Sequence, residues 1–124
     1  MNVLRTSKLG ELGEQVACDF LLSRGHQILD RNYRAGHLEL DIVSEAADGV
    51  HFVEVKARTA PVISQVEEQV TPVKQRRVAA AALQYLNKKH LEGREVFFDI
   101  VSVVFDGQET DLRYIPQAWI PMYT

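Results

Sequence analysis

Cysteine is almost absent from this 124-residue chain. Cys18 stands alone, so no internal disulfide can form, and the expected setting is a reducing compartment, the cytoplasm. Zinc patterns are missing as well: there is no HxH, HExxH or CxxC, and His26, His37, His51 and His90 are scattered singles, read as surface or packing residues. No apolar run approaches the roughly 18 residues that mark a membrane span. MNVLRTSK is not followed by a signal-peptide core, so no membrane partner is expected. Repeats, low-complexity tracts and linkers are lacking, which leaves one domain over residues 1–124. Positive charge is not in excess either, because the net charge is −3. Any nucleic-acid binding must therefore come from a local patch. Residues 71–90 offer one, with Lys74, Arg76, Arg77, Lys88 and Lys89 and no acid.

What is present is a hydrophobic fraction of 46%, enough for one buried core without staples. Residues 8–24 read as a helix with Leu9, Leu12, Val16 and Phe20 on its apolar stripe, stopped by Gly25. Cys18 is expected to act as a small apolar residue on it. Gly10, Gly13 and Ala17 fall together on that helix, with Glu14 beside them. Each glycine costs on the order of 1 kcal/mol in a helix, so the pair predicts close approach to a neighbour. Three strand-like runs follow at 28–33, 38–44 and 50–58, the last two joined by EAADG as an antiparallel hairpin. Thr71 caps and Pro72 opens a second helix over 72–90. Its apolar side is Val78, Ala79, Ala82 and Leu86; Lys74, Arg77, Ala81, Gln84 and Lys88 line another side. SQVEEQV before it reads as a short helical turn. Residues 96–105 form a buried strand containing Asp99, read as structural, and 111–115 a last short strand before a turn packed by Trp119. The order predicts an α/β domain with a mixed β-sheet.

The chemistry-bearing stretch is HFVEVKAR, residues 51–58. Strand residues two apart share a face, so Glu54, Lys56 and Arg58 point one way and Val53, Val55 and Ala57 the other. In LELDIV, Glu39 and Asp41 share a face in the same manner. A four-residue loop would pair Asp41 with Glu54 and Glu39 with Lys56; a two-residue turn would pair Asp41 with Lys56. Either register puts Glu39, Asp41, Glu54 and Lys56 on one face. Opposed carboxylates repel on a bare sheet, and a divalent cation relieves that repulsion. Hard oxygen ligands suit Mg2+ or Mn2+. The matching chemistry is metal-assisted hydrolysis of a phosphodiester, with Lys56 orienting the nucleophile or stabilising developing charge. Glu39 could instead pair with Arg34 or Arg58. Lys74, Arg77 and Lys88 read either as a phosphate-facing stripe or as a solvated helix face, with Arg31, Tyr33 and Arg34 as an extension bearing an aromatic for base stacking.

Asp41 followed by Glu54-Val55-Lys56 resembles the PD-(D/E)xK nuclease superfamily. More closely, GELGEQVACDFLLSRG, NYR, ELDIV, FVEVKAR, TPVKQRRVAAAALQYL and FFDIVSV, in that order, resemble the YraN-like protein family, described as endonucleases related to Holliday-junction resolvases. The resemblance implies a restriction-endonuclease-like fold with an αβββαβ core. It implies Asp41 and Glu54 as metal ligands, Glu14 as a further acid, Lys56 as the catalytic lysine and Lys74 as a basic residue opening the second helix. Leu38 departs from the pattern, which commonly has glycine there. The implied function is a Mg2+-dependent endonuclease acting on DNA, branched or damaged DNA included, with Lys74, Arg77, Lys88, Arg58 and Arg34 holding nucleic acid and a homodimer left open. The competing reading is a nuclease-fold module that binds nucleic acid or a repair protein without cutting.

Overall fold

The computed structural model of the protein describes residues 6–62 and 70–121, so all but the last residue of the expected SQVEEQV turn lie outside the described residues. The chain runs α1 (Thr6–Ser23), β1 (Gln27–Ala35), β2 (Leu38–Ala46), β3 (Gly49–Thr59), α2 (Pro72–Lys88), β4 (Val96–Asp106) and β5 (Glu109–Ile115). The five strands make one sheet in the order β1-β2-β3-β4-β5. Only β3 and β4 pair in parallel, because α2 carries the chain back between them; the other neighbours are antiparallel. The expected αβββαβ order is thus present, with β5 added at the edge.

Each face of the sheet buries one helix. On one face Ala17, Cys18 and Leu21 of α1 pack on Ile42, Val53, Val101 and Val103. On the other, Val78, Ala79, Ala81, Ala82 and Tyr85 of α2 pack on Leu40, Val43, Val50, Phe52, Phe98 and Ile100, with the Trp119 ring tilted against Phe98, centroids 4.3 Å apart. α1 ends as expected: Gly25 takes φ +88 and the His26 N–H donates to the Leu21 carbonyl at 3.0 Å. Its buried stripe differs from the expected Leu9, Leu12, Val16 and Phe20. Gly13 and Ala17 face the sheet instead, since a Cβ on Gly13 would collide with the Ala57 side chain. Close approach selects the smallest residues, and the larger ones move to the flanks. Gly10 has no such neighbour. α2 begins with the expected cap, the Lys74 N–H donating to Thr71 Oγ1 at 3.2 Å. Ala81, expected on the polar side, is fully buried, so the polar stripe along α2 is interrupted in its middle.

The hairpin of β2 and β3 takes the register with Glu45 opposite Val50, tightened by one more rung, Ala46 opposite Gly49. The rungs stop at Ile42–Val53. Beyond that point β1 and β2 stay paired to Ala35–Leu38, and β3 and β4 to Thr59–Phe105. The sheet therefore forks. At the fork the β1–β2 pair also changes faces. Arg31 and Ile42 face α1, whereas Tyr33 and Leu40, one alternation further on, face α2. The cause lies between those rungs: Asn32 has φ +50, a conformation that asparagine tolerates better than most residues.

Candidate functional site

The fork opens a cleft of about 460 Å³ between Glu39 and Asp41 of β2, Val55 to Arg58 of β3, and Leu9, Gly10 and Glu14 of α1. Asp41 stands at the face change, so its side chain turns toward the free edge of β3, where Oδ2 accepts the Val55 N–H at 2.9 Å. Glu54 is buried on the α2 side, 4% exposed. The two carboxyl groups nevertheless lie near enough for the charge of Asp41 to act on Glu54. The expected convergence occurs, by a face change rather than by strict alternation along the hairpin. Burial, then the charge of Asp41, pushes the Glu54 pKa up to about 8, against the pull of Lys74 and Lys56. Glu14 completes the acidic group from α1. Burial and Asp41 raise its pKa, and Arg31, at 3.9 Å, lowers it. One of its oxygens, Oε1, is buried without a hydrogen-bond partner.

Among the described residues no three His, Cys, Asp or Glu side chains are gathered closely enough to hold an ion by themselves. Magnesium requires less, because it keeps several waters and commonly takes one or two carboxylates from the protein. The donors fit that demand. Asp41 and Glu54 are neighbouring all-oxygen ligands, and Glu14 Oε1 is buried without a hydrogen bond among the described residues. Gly10 leaves the cleft wall without a side chain.

The basic residues separate into three groups. Lys56 lines the cleft. Lys74 does not stand with the outer stripe: its Nζ lies 3.7 Å from Glu54 Oε2, so α2 delivers a counter-ion to the buried acid. Arg58 reaches inward to Ser102 Oγ at 3.3 Å. Arg77 is exposed on α2. Arg34 and Lys88 line a separate depression with Tyr33. Glu39 sits 4.0 Å from Arg34, with both side chains largely in solvent.

Sequence reasoning missed a second buried polar group at the other end of α1. Asp99, fully buried, accepts from Tyr114 Oη at 2.6 Å and from the Gln117 N–H at 3.0 Å, which agrees with a structural role. Its Oδ2 also bonds His51 Nδ1 at 2.6 Å, and His51 Nε2 bonds Asp48 at 2.7 Å. With a carboxylate on each nitrogen, the charged imidazolium is the form of His51 that donates both bonds. Burial works against that charge, but the bonds to Asp99 and Asp48 outweigh it and raise the pKa. The available signal was an acid inside the apolar run FFDIVSV and a histidine inside β3; the parallel register that joins them is not visible in either segment alone.

A profile described as "Uncharacterised protein family UPF0102" matches residues 13–103 of the chain. A UPF0102 protein of Myxococcus xanthus is 41% identical over 110 residues, covering 89% of this chain and 87% of that one. The Trichlorobacter lovleyi UPF0102 protein is 37% identical over 113 residues, covering 90% and 89%. Among solved structures, Pyrococcus furiosus SfsA in complex with Ca2+ aligns with a TM-score of 0.39 and 19% identity, over 92% of this chain and 64% of that one.

Proposed function

This chain belongs to the UPF0102 family, and from that membership and the forked cleft we propose that it is a metal-dependent endonuclease hydrolysing phosphodiester bonds of DNA, branched or damaged DNA in particular. The observation that carries the reading is the placement of Asp41 in the cleft, bonded to the Val55 N–H with its charge acting on the buried Glu54 carboxyl group, beside Glu14 and Lys56. Two acids are brought together in a buried place at a cost in charge repulsion, and a cation that binds them offsets it.

Asp41 and Glu54 would hold Mg2+ or Mn2+, with Glu14 on the α1 side. When bound, the ion supplies Lewis-acid polarisation of the phosphoryl oxygen and a water of lowered pKa. Lys56 meets the charge that develops on the phosphate and helps to orient the nucleophile. Lys74, 3.7 Å from Glu54, favours the charged form of that carboxyl group against burial and Asp41. The Val55 N–H fixes Asp41 on the strand edge, so the ligand is placed before substrate arrives.

A cleavage screen with Mn2+ over duplex, flap, four-way junction and single-stranded DNA and RNA tests the reading, with Asp41→Asn measured in parallel. Cleavage by the wild type that is lost in the variant is expected. Binding without cleavage of any substrate would favour the non-cutting module instead.

A further inference from the structure

We propose that the depression between the β1–β2 turn and the C-terminal half of α2 is a nucleotide-binding subsite. It takes an unpaired nucleotide adjoining the scissile phosphate, with the phosphate between Arg34 and Lys88 and the base against Tyr33. The inference rests on the nuclease reading and narrows its substrate to nucleic acid with unpaired bases.

The lining carries the argument. Arg34 and Lys88 face the depression with the amides of Gln84 and Asn87, and among the described residues no carboxylate lines it, in a chain whose net charge is −3. Guanidinium, ammonium and amide groups are the donors that phosphate oxygens accept from. Tyr33 supplies the aromatic wall. It is set edge-to-face against Tyr85, ring centroids 4.9 Å apart, and the Tyr85 hydroxyl is anchored to Asp30 at 2.8 Å, so the ring is positioned in advance. Gly36, at φ +64, makes the turn without adding a side chain to the opening. A ring beside two cations is the arrangement that stacks an exposed base, whereas a base inside a continuous duplex has no free face to offer.

Location supplies the link to the cleft. Glu39 lines the cleft, and its partner across the ladder, Arg34, lines the depression. By strand geometry the Cα atoms of Asp41 and Arg34 lie about 8 Å apart, within reach of a nucleotide flanking the bond to be cut. The face change at Asn32 is what turns Tyr33 toward α2 while Arg31 stays with α1.

The test is binding of fluorescent single-stranded, forked and continuous-duplex DNA to the full chain in EDTA, by anisotropy over a salt series. The double variant Arg34→Ala/Lys88→Ala, exposed at both positions, should weaken single-stranded and forked DNA at least tenfold. It should also flatten the logarithmic salt slope by about 1.4, the counter-ion release of two phosphate contacts on a single strand. Tyr33→Leu should weaken the same substrates and spare the duplex, while Tyr33→Phe retains binding. Unchanged affinity in the double variant overturns the subsite, as does equal weakening for duplex, or a wild type that binds none of the three. Failure of the nuclease reading looks different: the wild type would then cleave none of the substrates, or Asp41→Asn would cleave as well as it does, whatever the binding series shows.

Discussion

Asp41 Oδ2 receives the Val55 N–H at 2.9 Å just past Ile42–Val53, the last rung joining β2 to β3. A side chain thus takes over where the neighbouring strand has left, and the same residue sits against the Glu54 carboxyl group. Asparagine in its place keeps an acceptor for that N–H and removes one charge from the pair, whereas alanine keeps neither. Asp41→Asn should therefore fold within about 1 kcal/mol of wild type, and Asp41→Ala should lose about 1–2 kcal/mol. Urea denaturation compares them; an asparagine variant as unstable as the alanine one would show that the charge, not the acceptor, matters.

Metal binding separates the same variants by another route. An ion that binds only the folded state stabilises it by mass action, by about 2.7 kcal/mol at a hundredfold excess over its dissociation constant. Melting curves with Mn2+ should shift upward for wild type and stay in place for Asp41→Asn. Equal shifts in both proteins would put the ion elsewhere.

The two glycines of α1 are predicted to respond in opposite directions. A Cβ on Gly13 collides with Ala57 on the sheet, where the backbone has little room to yield, so Gly13→Ala should destabilise by about 1–3 kcal/mol. Gly10 has no atom within 4 Å of the same position, and Gly10→Ala should gain up to about 1 kcal/mol from helix propensity. A loss at both positions would mean that Gly10 also makes a close approach.

Those glycines also show how far sequence reading reaches. Two glycines and an alanine on one side of a helix announced close contact, yet the hydrophobic stripe was placed on Leu9, Leu12, Val16 and Phe20, because large residues dominate periodicity while the tightest contact is made by the smallest. The hairpin itself was legible, but its register was left between two, and the structure takes the one with Glu45 opposite Val50, turning at Ala47-Asp48 rather than at Asp48-Gly49. The face change was not legible, since it falls where Asn32 takes φ +50, a backbone angle that no pattern of apolar residues encodes. Asp41, Glu54 and Glu14 were singled out from the sequence, but their geometry was not legible, because alternation fails at Asp41.

His51 gives a pH dependence with a definite sign. Its pKa is raised from 6.5, so its contribution to stability is complete below that value and is lost as pH climbs through the raised one. A neutral ring can donate to only one of Asp99 and Asp48. Glu54, raised from 4.5 to about 8, acts in the same direction across its own window, so the informative quantity is the difference between wild type and His51→Gln. That gap in unfolding free energy should be widest at about pH 6 and narrow as pH rises above it. A gap independent of pH would mean that His51 is neutral in the folded protein.

The last prediction separates chemistry from grip. Lys56 lines the cleft beside Asp41, and its ammonium is assigned to the scissile phosphate, so Lys56→Ala should lower kcat by about a hundredfold or more and leave KM nearly unchanged. Arg77 is exposed on α2, away from the carboxylates, so Arg77→Ala should act on KM alone and only slightly. Lys74→Ala should resemble Lys56→Ala more than Arg77→Ala, because its Nζ is 3.7 Å from Glu54 and belongs with the acids rather than with the outer face of the helix. Steady-state kinetics on whichever DNA the Mn2+ screen shows to be cut decides the matter. Full cleavage by Lys56→Ala would return the charged pair in HFVEVKAR to the role of a solvated strand face.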